Sequence, residues 1–241
     1  MHMPPPSSAP FVIEFFGLPG SGKTTVARLV IEGLNARGHI VADSSALTRD
    51  VLPVAARSGA RLGMILREVP SLLGLTPALL SVLTWKQASQ RDRLKGVFVC
   101  ATVSSMLARL GRRGESAVLD QGPAQAAWSA RLRSEQDRSA DGLLSAMRGL
   151  CRHHWWHVVI LDAPDQTIRH RLDQRVSKHS RLQTRASQVD AMLWCRARNI
   201  FEEIADDLEK AADRNSITVT RLRSDDTDPA HMARVVMGGI P

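Results

Sequence analysis

The stretch "VIEFFGLPGSGKTTVARLV", residues 12 to 30, constrains the chain more than any other. "FVIEFF", residues 11 to 16, is rich in β-branched and aromatic residues and reads as a buried strand. From Lys23 to about Arg37, Val26, Leu29, Val30 and Leu34 recur at helical spacing, and Gly38 closes the pattern as a natural C-cap. Between strand and helix, "GLPGSGKT", Gly17 to Thr24, fits the pattern G-x-x-x-x-G-K-[ST]. Glycines let the main chain curl so that successive N–H groups converge without a Cβ in the way. The helix that follows aims its positive N-terminal end at the same point. A turn of this kind suits a phosphate group. The wrap is expected from Gly17, Pro19, Gly20, Ser21 and Gly22, with Thr25 opening the helix. Lys23 adds a full charge for β- and γ-phosphates, and the Thr24 hydroxyl is a ligand for Mg²⁺.

The remaining pattern alternates short apolar runs with helical segments. "HIVAD" ending at Asp43, "SAVLD" (116 to 120), "HVVILD" (157 to 162) and "ITVTRL" (217 to 222) read as four further strands. Helical pattern fills roughly 53 to 113, 124 to 152 and 187 to 214, with a short helix after Pro229. No hairpin signal joins the strands, so the expected fold is α/β, a parallel sheet covered by helices on both faces. The Pro- and Ser-rich residues 1 to 10 are expected to be a disordered leader. Residues 11 to 241 are expected to form a single domain, with 44 to 113 as a helical insertion. Glu14 is out of place in a buried strand and calls for an Arg partner or a position near a strand end.

A phosphate cradle alone names no reaction. "VLDQGPAQAAWS", residues 118 to 129, supplies a second element: a strand that ends in Asp120, a carboxylate placed to hold Mg²⁺ directly or through water. The competing reading is that Asp120 caps the next helix. Gln121 stands where motor and AAA-type ATPases carry an acid to activate water, and neither [NT]-K-x-D nor D-x-x-G is present for guanine or a switch. These features weigh against motor ATPases and GTPases.

The third element is "DQTIRHRLDQRVSKHSRLQTR", residues 165 to 185, where Arg171, Arg175 and Lys178 fall on one face if helical. Arg181 and Arg185 continue into a less apolar stretch. Phosphoryl transfer needs charge stabilisation and exclusion of water, and an Arg-bearing lid over 175 to 187 supplies both. A solvated or nucleic-acid-facing basic helix is the alternative.

The order of "GLPGSGKTT", "VLDQGPAQAAWS" and "VVILDAPDQTIRHRLDQR" resembles the thymidylate kinase-like branch of P-loop nucleoside and nucleotide kinases, over about residues 11 to 222. The resemblance implies a P-loop NTPase three-layer sandwich with a five-stranded parallel sheet in order 2-3-1-4-5. It also implies an ATP site in the P-loop, an acceptor cleft under the helical insertion and a lid. On this resemblance Lys23 and Thr24 hold phosphate and Mg²⁺, Asp120 opens the family's Asp-Arg motif, and Arg175 and Arg181 are lid arginines. Gln121 departs from that motif, and a neutral amide cannot replace a guanidinium on an acceptor phosphate. Nucleoside kinases of the group carry a carboxylate base at the end of the second strand. Asp43 stands there, with a turn cap before Ser44 and Ser45 as the equal alternative.

Two function classes follow. One is an ATP- and Mg²⁺-dependent phosphotransferase acting on a nucleoside, nucleotide or similar small molecule. The other is a nucleotide-binding ATPase or switch that phosphorylates no acceptor. The formal net charge of +8 keeps nucleic acid as the least favoured partner, because the basic residues are scattered without a run of four. Cys100, Cys151 and Cys195 form no disulfide or zinc spacing, and no signal peptide or run of about eighteen apolar residues is visible. A cytoplasmic enzyme without membrane attachment is the expectation. Smaller signals read as structural. His153, His154 and His157 lack partners at metal-site spacing, and Trp85, Trp128 and Trp194 read as core, with Trp85 or Trp128 as alternatives for stacking on a planar acceptor. The Leu-rich residues 69 to 83 read as insertion core, with a homodimer face as the alternative.

Overall fold

The structure is a computed structural model that describes residues 9–43, 54–73, 89–134, 141–174, 190–212, 217–225 and 227–240. Its described elements follow in chain order. The N-terminal half holds β1 (Phe11–Phe16), α1 (Lys23–Ala36), β2 (Val41–Asp43), α2 (Val54–Leu72), α3 (Gln90–Arg113), β3 (Ser116–Leu119) and α4 (Pro123–Arg133). Then come α5 (Asp141–Gly149), β4 (Trp155–Asp162), α6 (Asp165–Asp173), α7 (Asp190–Ala212), β5 (Ile217–Arg223) and α8 (Pro229–Gly238). The five strands form one sheet in the order β2-β3-β1-β4-β5, the order the resemblance implied. All four pairings are parallel.

β1 lies at the centre, and its residues alternate between two apolar layers as a period of two requires. Val12 and Phe16 face a core built with α3, α4, α5 and α7, whereas Phe11, Ile13 and Phe15 face a second core built with α1 and α8. Burial on both faces explains why β1 reads as a continuous apolar run. β5, at one edge, is half-exposed along most of its length.

Local chemistry sets the element ends. Ser89 caps α3 by accepting from the Asp92 N–H at 3.1 Å while its hydroxyl donates to Asp92 Oδ2 at 2.8 Å. The same helix closes at Gly114, whose φ of 60° suits a residue without a Cβ. α2 and α3 pack together, joined by Arg112, whose Nη2 donates to Glu68 Oε1 at 2.7 Å. That guanidinium holds the Glu68 carboxyl below its ordinary pKa, against the opposing effect of burial.

Several boundaries differ from the sequence reading. The helix expected over 124 to 152 is two helices: α4 stops at Arg133, where Ser134 turns extended with ψ 144°, and α5 begins at Asp141. β4 starts at Trp155, two residues early, because the Trp155 N–H donates to the Pro10 carbonyl at 2.9 Å and extends the ladder. The helix Asp92–Arg113 is long and apolar enough to cross a membrane by length and composition, contrary to expectation. Half of it is buried in the fold, which is where its apolar character goes. In the Leu-rich segment Leu72 is buried, but Val69 and Leu73 are exposed and continue a stripe with Leu62 and Leu66 on α2. Residues 74 to 83 of that segment, and Trp85, lie outside the described residues.

Candidate active site

The turn between β1 and α1 takes the curled form its glycines predict. Gly20 and Gly22 both have φ 93°, a region that L side chains rarely adopt. Gly17 is required for a different reason: a Cβ there would meet the Leu161 carbonyl oxygen at 2.4 Å and Ser21 Oγ at 2.6 Å. At Gly20 a Cβ would press on Ile168 and Leu172 of α6 at 3.2 Å. The turn is therefore hemmed in by the end of β4 and by α6. Gly22 is the N-cap of α1 with no side-chain cap, and the first turn of α1 carries no acidic residue. The positive end of α1 therefore points into this turn with no carboxylate of the helix to offset it.

Lys23 Nζ lies over this turn and donates to the carbonyls of Gly17 at 2.6 Å and Leu18 at 3.0 Å. Thr24 Oγ1 donates to Asp120 Oδ2 at 3.5 Å, so the end of β3 and the start of α1 meet at one point. Asp120 is 5% exposed. A hydroxyl and a carboxylate are hard oxygen donors, the set that suits Mg²⁺ held jointly with phosphate and water. Among the described residues no cluster of three His, Cys, Asp or Glu side chains is present. His154 Nε2 bonds the Glu115 carbonyl, and His157 Nε2 bonds Thr220 Oγ1 at 2.8 Å.

From the turn a cleft of about 380 Å³ runs on between α3 and α4. Its near end is Gly20, Gly22, Lys23, Thr24, Asp120 and Gln121; its far walls include Val99 and Val103 of α3 and Gln125, Ser129 and Arg133 of α4. Trp128 also lines it, with its ring held by a hydrogen bond from Nε1 to the Ala197 carbonyl at 3.0 Å. The helical insertion thus forms one wall of the cleft through α3.

Glu14 proves to be part of this architecture. It is 1% exposed, and its Oε1 accepts from the Ala124 N–H at 2.6 Å. α4 has no side-chain cap of its own, so a residue 110 positions earlier performs that task from β1. The carboxyl also occupies the space above Gly122, where a Cβ would come within 2.6 Å of it. Burial pushes its pKa up to about 7, while the N–H groups of Ala124 and Gln125 and the charge of Arg148 pull the other way. The sequence reading asked for an Arg or a strand end; the main partner is instead a helix N-terminus.

At the end of β4 a second cluster went unnoticed in the sequence. Arg198 of α7 binds Asp162 at 2.6 Å, Asp165 at 2.5 Å and the Ala163 carbonyl at 2.7 Å. Burial opposes its charge, but the two carboxylates outweigh that and raise its pKa. Arg198 therefore ties the end of β4 to the start of α6, the two elements that close on Gly17 and Gly20.

α6 ends at Asp173, and Arg175, Lys178, Arg181 and Arg185 lie outside the described residues. Arg171 does not join an open cationic face: it donates to Ser224 Oγ at 3.1 Å and the Ser224 carbonyl at 2.6 Å. Asp43 ends β2, paired in register with Val118, two residues before Asp120; the description stops at its backbone.

The fold is that of P-loop kinases. The structure of a deoxyadenosine kinase from M. mycoides, with products dCMP and a flexible dCDP bound, superposes with a TM-score of 0.53 at 12% identity. That match covers 95% of this chain and 97% of that one. The M. mycoides deoxyadenosine kinase with bound dCTP gives a TM-score of 0.49 at 12% identity, with 95% and 97% covered. The Mycobacterium tuberculosis APS kinase CysC, in complex with AMPPNP and APS, gives 0.45 at 16%, with 96% and 97% covered. No curated protein matches the sequence. Gln121 is a neutral, exposed residue beside Asp120, and it does not keep the chain out of an AAA domain family as its position suggested. A family model described as AAA domain matches residues 12–198, and the chain belongs to that family.

Proposed function

We propose that the protein is an ATP- and Mg²⁺-dependent phosphotransferase that moves the γ-phosphate to a small-molecule acceptor, within the thymidylate kinase-like branch. One observation carries this reading. The phosphate turn, with Thr24 3.5 Å from Asp120, does not end at solvent but opens into a walled cleft large enough for a second substrate.

In this reading the main-chain N–H groups of Gly20 to Lys23 and the α1 N-terminus bind the donor phosphates. Lys23 swings from its loop carbonyls onto the β- and γ-oxygens, and Thr24 and Asp120 hold the metal. Magnesium supplies charge neutralisation on the phosphate oxygens when bound. The acceptor oxygen forms a bond to the γ-phosphorus as the bond to the β,γ-bridging oxygen breaks, its electron pair leaving on ADP. The acceptor proton passes to a carboxylate at the strand ends, for which Asp43 is our candidate. Arg175 and Arg181, on a lid over 175 to 187, complete the charge stabilisation at about 10³- to 10⁵-fold in rate. We place the enzyme in the cytoplasm, with a second copy of the chain as a candidate partner through the exposed α2 stripe.

A second reading, a nucleotide-binding ATPase or switch without an acceptor, is supported by Gln121, a neutral amide beside Asp120 where the resemblance expects an Arg. Incubation with γ-labelled ATP, Mg²⁺ and a pool of nucleosides, nucleotides and metabolites separates the two. Labelled product above the rate of bare hydrolysis is expected. Hydrolysis alone, with every acceptor, would leave the second reading standing.

A further inference from the structure

We infer that the cleft between α3 and α4 takes an uncharged, polyhydroxylated ring as acceptor, and that Gln125 selects it. This rests on the phosphotransferase reading above and names its substrate class. Gln121 stands in the turn before α4, and on α4 the cleft-lining residues Gln125, Ser129 and Arg133 recur every four positions. Each step advances about 6 Å along a helix. An acceptor reaching away from Asp120 therefore meets an amide, a second amide and a hydroxyl before any cation of α4. The facing wall, Val99 and Val103 on α3, is apolar at the same four-residue spacing. One wall that hydrogen-bonds and one that does not match a ring with hydroxyls on one side and C–H groups on the other.

Gln125 is the group the cleft leaves unfinished. Its Oε1 is buried and has no hydrogen-bond partner, an arrangement that costs stability unless a ligand donates to it. Its position is not loose: Glu14 takes the main-chain N–H groups of Ala124 and Gln125 and fixes that turn of α4. A phosphate nucleophile would fare badly here. Among the described lining residues the cations are Lys23, engaged with the donor, and Arg133, about 12 Å along α4 from Gln125. Neutral amides do not neutralise a phosphate dianion. A free sugar and the ribose of a nucleoside share the required chemistry.

The test uses the full chain, γ-labelled ATP and Mg²⁺ with three sets of acceptors: neutral sugars, nucleosides, and the monophosphates of each. Transfer to a sugar or a nucleoside, and not to its monophosphate, is expected; the two neutral sets identify the source. Gln125→Ala should then lower kcat/KM for that acceptor by about tenfold to a hundredfold, mainly through KM. Gln125→Glu, which keeps the accepting oxygen, should stay within about tenfold of wild type. Val99→Phe, on the opposite wall, should raise the same KM and serves if either Gln125 variant fails to fold. Preferred transfer to monophosphates would overturn the inference and leave the phosphotransferase standing. Equal kcat/KM in wild type and Gln125→Ala would overturn the role of Gln125. No transfer to any acceptor would remove the phosphotransferase reading itself.

Discussion

Replacing Glu14 by Gln tests how the sheet is tied to the wall of the cleft. Glu14 titrates at about 7 in the fold against 4.5 as an ordinary side chain, with burial as the leading cause. Between those values the unfolded chain has lost the proton and the folded chain keeps it, so the fold binds more protons. Stability therefore falls as pH rises from about 4.5 to about 7 and is level outside that window. At about 1.4 kcal/mol per pH unit, the full penalty is about 3 kcal/mol, of which about 2.5 kcal/mol develops between pH 5 and pH 8. His157, one residue along the sheet register, tends to conceal this in the wild type. Its pKa is lowered by burial to about 4 from 6.5, so its contribution rises with pH through that window.

Glu14→Gln removes only the first slope. The Gln carbonyl still accepts from Ala124, while its amide faces the Gln125 N–H, a loss that does not depend on pH. Urea denaturation of both proteins at intervals from pH 5 to pH 8 gives the difference directly. The variant should gain about 2.5 kcal/mol on the wild type across that range, whatever its stability at pH 5. A difference constant to within about 0.5 kcal/mol would refute the claim that a buried, proton-retaining carboxyl caps α4.

Other perturbations probe the remaining ties. Gly17→Ala should destabilise by more than about 2 kcal/mol in the same denaturation assay, since its Cβ meets the Leu161 carbonyl; Gly22→Ala, with nothing within 4 Å, should lose about 1–2 kcal/mol from φ alone. Arg198→Lys cannot hold Asp162, Asp165 and the Ala163 carbonyl together, so it should weaken MgATP binding measured by calorimetry as the β4–α6 connection loosens. His157→Gln should unmask the Glu14 slope, so that the urea midpoint rises on acidification from about pH 6.5 to pH 4.5 by more than in the wild type, where the two groups oppose each other.

The sheet and the phosphate turn were legible because they rest on local rules. β1 alternates into two apolar layers, and Gly20 and Gly22 stand where only glycine accepts the backbone. Asp120 was legible from a strand that ends in a carboxylate. What escaped depends on contacts distant in sequence. Nothing near Glu14 announces that its partner is a helix start at Ala124, and Arg198 meets Asp162 from 36 residues away. Gln125 and Val103 line one cleft only because α3 and α4 pack side by side. Helix ends were misjudged where no glycine or proline marks them, as at Ser134, where the backbone alone turns extended.

The central claim is that the turn from Gly17 to Thr24 embraces the phosphate tail of a nucleoside triphosphate. Titration calorimetry with ATP and Mg²⁺ measures it most directly, with adenosine alone as the control lacking phosphates. Saturable binding that is lost in Lys23→Ala and weakened at least tenfold in Asp120→Asn, with no response to adenosine, is the predicted result. A folded protein that gives no heat with any triphosphate and magnesium, or a Lys23→Ala variant that binds as well as wild type, would contradict the account.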